Sequence, residues 1–142
     1  MKANELMIGD WVYSASMTPR KVQYLDGAKS DSIGVADHLN FESRINPIPL
    51  TAEILEKNGL KYEVDYGGYH RSILGSHSKD NEPLICVQWN PQGEISQWEV
   101  SNKSGILTGV VAYGYTEIAV HELQHILRMV GLNELANNFK IE

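Results

Sequence analysis

Polar and apolar positions alternate along the first part of the chain. Trp11-Val12-Tyr13 follows the turn signal Gly9-Asp10, and Lys21-Val22-Gln23-Tyr24-Leu25 runs up to a second turn at Asp26-Gly27. Both stretches predict short strands. Another extended piece is expected over 32–36, while 37–46 fits neither a helical nor a strand period. Pro47 and Pro49 then hold the chain extended, because proline fixes its own φ and pushes the preceding residue out of the helical region.

The period changes at LTAEILEKNGL, residues 50–60, where both ends of a helix are written in. Thr51 suits the N-cap, Glu53 puts negative charge at the positive end of the dipole, and Leu50 with Leu55 can staple the entry. Gly59 can take the left-handed conformation that closes a helix, with Leu60 folding back on Leu55. A short helix over 52–58 is predicted. From 60 to 114 the pattern is that of antiparallel strands: 61–66 and 71–74 flank Gly67-Gly68, and 75–83 reads as an exposed loop. The segments 84–89 and 95–100 form a hairpin through Asn-Pro-Gln-Gly, and the apolar run 106–113 predicts a buried central strand. Over 116–130 the helical period returns. Ile118, Ala119, Val120, Leu123, Ile126, Leu127 and Val130 fall in a stripe about 120° wide, with His121, Gln124, His125 and Arg128 opposite and Glu122 at the border. Gly131 stops this helix, and 132–139 suits a brief final turn.

These elements predict one α+β domain over residues 1–142: a curved antiparallel sheet, a short middle helix and an amphipathic C-terminal helix, with 1–46 β-rich and barrel-like. Length and composition agree. A chain of 142 residues closes a core without staples, and 42% hydrophobic with 21% charged residues is ordinary for folded proteins. The net charge of −6, with no basic cluster, argues against nucleic acid as a direct partner. No run is apolar enough to span a membrane, no secretory pattern opens the chain, and Cys86 is alone, so a cytoplasmic location is expected.

One stretch spells a catalytic pattern: HELQH, residues 121–125. In H-E-x-x-H, two histidines one turn apart ligate zinc, and the glutamate takes a proton from metal-bound water. His121 and His125 would be the ligands and Glu122 the general base. A catalytic zinc needs a third protein ligand, for which the sequence offers Glu134, His70 or His77. Glu134 lies downstream, as the glutamate variants require, but few residues remain to support it, His70 and His77 come in an unusual order, and so short a motif also arises by chance. Elsewhere the chemistry is sparse. Cys86 in Leu-Ile-Cys-Val reads as a small core hydrophobe, and no nucleophile elbow or phosphate loop occurs. Tyr62, Tyr66, Tyr69, Trp89 and Trp98 sit on alternating strands, where either half of them fill the core or the group forms an aromatic recognition surface, and Trp89 and Trp98 can face each other across the hairpin.

KANELMIGDWV at the start, PIPLTAEILEKNGL in the middle and VHELQHIL near the end resemble, as a set, a family of small bacterial proteins without an assigned activity, frequent in the genomes and mobile elements of gut bacteria. The resemblance covers both ends and the middle helix. It implies that the position of His125 is commonly asparagine, so that the second metal ligand is not a family feature. It further implies a shared structural or binding role for His121, Glu122 and Gln124. The favoured functional reading is therefore a non-catalytic accessory module that binds a protein partner through its aromatic sheet (Tyr66, Tyr69, Trp89, Trp98) or the polar face of the last helix (Gln124), without a cofactor. The competing reading is a small zinc-dependent hydrolase.

Overall fold

A computed structural model describes residues 5–26, 32–35, 38–41, 44–64, 67–75, 83–104 and 107–142. Two antiparallel sheets and three short helices make up an α+β fold. The first sheet takes β1 (Trp11–Tyr13), β2 (Pro19–Asp26), β3 (Ser32–Val35) and β4 (His38–Phe41) in chain order. Alternation in β1 and β2 sends Val12 and Val22 to the same side, where Leu6, Ile33, Val35 and Ile45 complete a small core. The ambiguous stretch after residue 36 thus supplies one more strand, β4.

The second sheet is a meander of β5 (Lys61–Val64), β6 (His70–Leu74), β7 (Pro83–Trp89), β8 (Ile95–Ser104) and β9 (Leu107–Gly114), each paired with the next. Helix α1 (Ala52–Lys57) precedes it, and α2 (Val120–Met129) and α3 (Asn133–Asn137) follow. Its inner face carries Ile85, Val87, Trp89 and Val100, which pack with Leu55 of α1, Val120, Leu123 and Leu127 of α2, and Phe139 beyond α3. Full burial of side chains this size contributes about 1.5–3 kcal/mol each. Among the described residues no helix is long and apolar enough to cross a membrane.

Helix α1 forms as its sequence dictates. The Thr51 hydroxyl accepts the Ile54 N–H at 3.2 Å, and Gly59 (φ 90°) turns the chain so that the Leu60 N–H reaches the Leu55 carbonyl at 3.0 Å. Asn58 at its C-cap makes two bonds to the distant Lys140 backbone: its amide donates to the carbonyl and its oxygen accepts the N–H, each at 2.8 Å. Lys57 donates to the Ile141 carbonyl at 3.3 Å. The tail is thereby tied to α1, with Phe139 and Ile141 buried.

Three expectations need correction. The apolar run before Gly114 forms β9, an edge of the five-stranded order and not a central strand, because strand order follows from successive hairpins, which local hydrophobicity does not encode. Helix α2 begins at Val120, not at 116, because Ala119 bridges to Pro49 and the Val120 N–H donates to the Ile48 carbonyl at 2.9 Å. The extended proline segment captures these residues before the helical period can. Cys86 is half-buried and not in the core, since its register with Ile73, Glu99 and Tyr113 turns it away from the inner face.

Candidate functional site

The side of α2 expected to face solvent is largely buried against the N-terminal segment. Gln124 is 0% exposed. Its oxygen accepts the Trp11 N–H at 2.8 Å, and its amide donates to the carbonyls of Gly9 and Ala136, both at 3.0 Å. One side chain therefore joins the start of β1, helix α2 and helix α3. Asp10, also 0% exposed, stands beside it. One carboxylate oxygen takes the Met7 N–H at 2.7 Å and His125 Nε2 at 2.5 Å, and the other takes Arg128 Nη1 at 2.7 Å. Trp11 closes the joint, its indole N–H donating to the Phe139 carbonyl at 2.6 Å. Gly9 has φ 95°, and a Cβ there would stand 3.3 Å from Arg128 Nη2, so backbone conformation and the close guanidinium both favour glycine.

Gly9-Asp10-Trp11 and HELQH thus meet as a clasp. Gln124, proposed from sequence as an outward binding residue, is instead an internal staple. The helical wheel recorded polarity correctly but not the second body of structure that covers it.

One turn earlier the same helix borders open space. A cavity of about 520 Å³ is lined by Glu5, Pro47, His121, Glu122 and His125. The two imidazoles meet nearly edge to face, with centroids 5.7 Å apart and planes at 81°. His121 is 7% exposed, and its Nδ1 is sealed with no hydrogen-bond partner among the described residues. Burial pushes the His121 pKa below its ordinary value; Glu122, Asp10 and Glu5 pull it back up and His125 adds to the lowering. Glu122 uses one oxygen to accept the Ala119 N–H at 2.9 Å, the half of a capping box that remains when alanine occupies the N-cap. A second cavity of about 310 Å³ shares Pro47 and Glu122 with the first. Trp89, Ile95 and Ile118 give it an apolar floor, and Glu94, Glu117 and Glu122 line its acidic side.

The donor set does not suit zinc. His125 Nε2 is engaged by Asp10, whose other oxygen holds Arg128. Of the proposed third ligands, Glu134 is exposed on α3, His70 bonds through Nδ1 to the Tyr62 hydroxyl at 2.6 Å, and His77 lies outside the described residues. Among the described residues no group of three or more His, Cys, Asp or Glu side chains is placed to hold a metal ion.

The described aromatic residues divide between core and surface. Trp89 is 5% exposed in the core, its indole N–H donating to the Ser72 hydroxyl at 3.0 Å. Trp98 is half-buried at the edge of that core, opposite Val87, whereas Trp89 pairs with Ile95 across a register shift, so the two tryptophans are not cross-strand partners. Tyr69 is exposed and Tyr66 lies outside the described residues. Sequence reasoning missed Tyr113 and Tyr115, both exposed and packed edge to face at 6.3 Å. Gly114 between them was the available signal: a Cβ there would stand 2.7 Å from the Trp98 indole, so only glycine lets that ring lie across β9.

No protein-family model, curated protein or solved structure matches the chain. Residue geometry alone therefore carries the functional reading.

Proposed function

We propose that this protein is a non-catalytic, cytoplasmic accessory module, of the kind suggested by its resemblance to small bacterial proteins of mobile elements, and that it binds a segment of a protein partner. The carrying observation is the pair of adjoining cavities along the N-terminal end of α2. They combine an apolar floor with Glu5, Glu94, Glu117 and Glu122, and among the described residues no lysine or arginine lines either one. Such a groove favours a segment that presents apolar side chains and positive charge, in keeping with the net charge of −6. The residues of HELQH meanwhile have structural duties: Glu122 caps α2, Gln124 staples it to β1, and His125 braces Asp10.

The test is a titration of isotopically labelled protein with synthetic peptides that alternate leucine with lysine, and with leucine–glutamate counterparts. Perturbation of Trp89, Ile95 and Ile118 by the basic peptides alone is expected. Silence of these residues toward every peptide would overturn the reading. Elemental analysis of chain purified without a histidine tag is expected to find zinc well below one per molecule, and stoichiometric zinc would count equally against it.

A further inference from the structure

We infer that the cavity between Glu5 and the His121–His125 pair seats one side-chain cation, the ammonium of a lysine or the guanidinium of an arginine, from the bound segment. This rests on the reading of the groove as a peptide site and specifies what its polar end recognises.

Charge is the first ground. Asp10 lies next to this wall but is already matched by Arg128 and braced by His125, so it leaves no unanswered charge. The carboxylates that face the cavity are Glu5 and Glu122. Glu5 makes no ion pair among the described residues, and Glu122 commits one oxygen to the Ala119 N–H. Two carboxylates with no cationic partner among the described residues repel an anion and attract a cation.

His121 is the second and independent ground. A polar ring that is more than nine-tenths buried ordinarily finds its partners within the fold. This one has a sealed nitrogen without a partner, while the ring itself lines the cavity. Gln124, three residues along the same helix, has both its donors and its acceptor matched within the fold. The sealed nitrogen can meet a partner from outside once the ring turns, and the ring borders the open space in which that partner stands. A neutral imidazole also adds no positive charge to oppose a cation. Pro47 supplies an apolar wall along which the methylene stem of lysine or arginine can lie while its head reaches the carboxylates. A bare metal ion fits this chemistry less well, because Asp10 occupies His125 Nε2.

The probes are acetyl-arginine amide, acetyl-lysine amide and, as a neutral control, acetyl-leucine amide, with the imidazole nitrogen resonances of His121 and His125 as the readout. Both cationic probes are expected to shift the His121 signals saturably at millimolar concentration, and the leucine probe to leave them unmoved. Glu122→Gln retains an acceptor for the Ala119 N–H while removing the charge, and is expected to weaken the response about fivefold, as suits one partly exposed charge pair. Glu5→Gln, at an exposed position with no hydrogen bond into the clasp among the described residues, is the second variant and is expected to act in the same direction. Equal response to all three probes, no response to either cation, or full response in both variants would overturn the inference. If leucine–lysine peptides perturb Trp89 and Ile118 but leave His121 silent, the cation site is refuted and the groove stands. If they perturb neither, the groove is refuted as well.

Discussion

Helix α2 presents one polar face to two different settings, and the contrast separates structure from recognition. Toward the C-terminal end, Gln124 and Arg128 enter the clasp with Gly9, Asp10 and Trp11, where the polar groups of Gln124 and both carboxylate oxygens of Asp10 are answered at 2.5–3.0 Å, although Arg128 Nη2 is buried without a hydrogen-bond partner among the described residues. Toward the N-terminal end, His121 and Glu122 border a cavity with, among the described residues, a buried nitrogen unmatched and carboxylates uncompensated. Both sets look alike in sequence, as polar residues opposite an apolar stripe. What divides them is whether another part of the chain supplies complementary groups. The first region is therefore expected to govern stability, and the second to tolerate substitution and govern binding.

The sharpest break of this contrast is Asp10→Ala, which leaves the buried end of Arg128 without its carboxylate. A loss of about 3–5 kcal/mol in urea unfolding is expected, since removing one member of a buried charge pair strands the other. Gln124→Leu, close in volume, should cost about 1–3 kcal/mol by leaving the Trp11 N–H and the Gly9 and Ala136 carbonyls unpaired. Should either variant unfold like the parent chain, the clasp would lose its assigned role. Glu122→Ala removes a helix cap and should cost about 1 kcal/mol, whereas Glu122→Gln should stay near the parent in stability while weakening the cavity. Equal destabilisation by the two would show that charge, and not the hydrogen bond to Ala119, matters at that position.

Acid titration sharpens the comparison further. His121 has a lowered pKa in the folded state, chiefly through burial, with Glu122, Asp10 and Glu5 opposing and His125 reinforcing. Above the ordinary imidazole value of 6.5 both states hold it neutral, and its contribution to stability is complete. As pH falls below that value the unfolded chain takes the proton first, so stability declines until the lowered folded value is passed. Denaturation midpoints across this window should flatten in His121→Gln; an unchanged slope would place the acid sensitivity elsewhere. The smallest effect concerns Cys86, whose pKa is raised by burial more than Arg71 lowers it. The thiol should alkylate more slowly in the folded chain than in urea, and folding-independent rates would remove that inference.

Legibility from sequence followed the range of the interaction. Thr51, Gly59 and Asn-Pro-Gln-Gly act within a few residues, and the helix, its closure and the hairpin formed where their signals stood. The start of α2 was misplaced because the claim of Pro49 on Ala119 spans the whole second sheet. Burial of Gln124 was invisible for the same reason: its partners Gly9 and Trp11 are more than a hundred positions away. HELQH could be found at once but not interpreted, since the meaning of its second histidine depends on Asp10. The cavity was half legible, its two histidines and Glu122 being proposed as site residues while Glu5 and Pro47 were not.

The bonds between Asn58 and Lys140 have a consequence for how the molecule is completed. An amide side chain offers the tail the same donor and acceptor that a neighbouring strand would, and Trp11 holds Phe139 from the other side. The closing segment can settle only after two sites far apart in sequence have come together, so its protection from hydrogen exchange should mature late during refolding and serve as a marker of finished assembly.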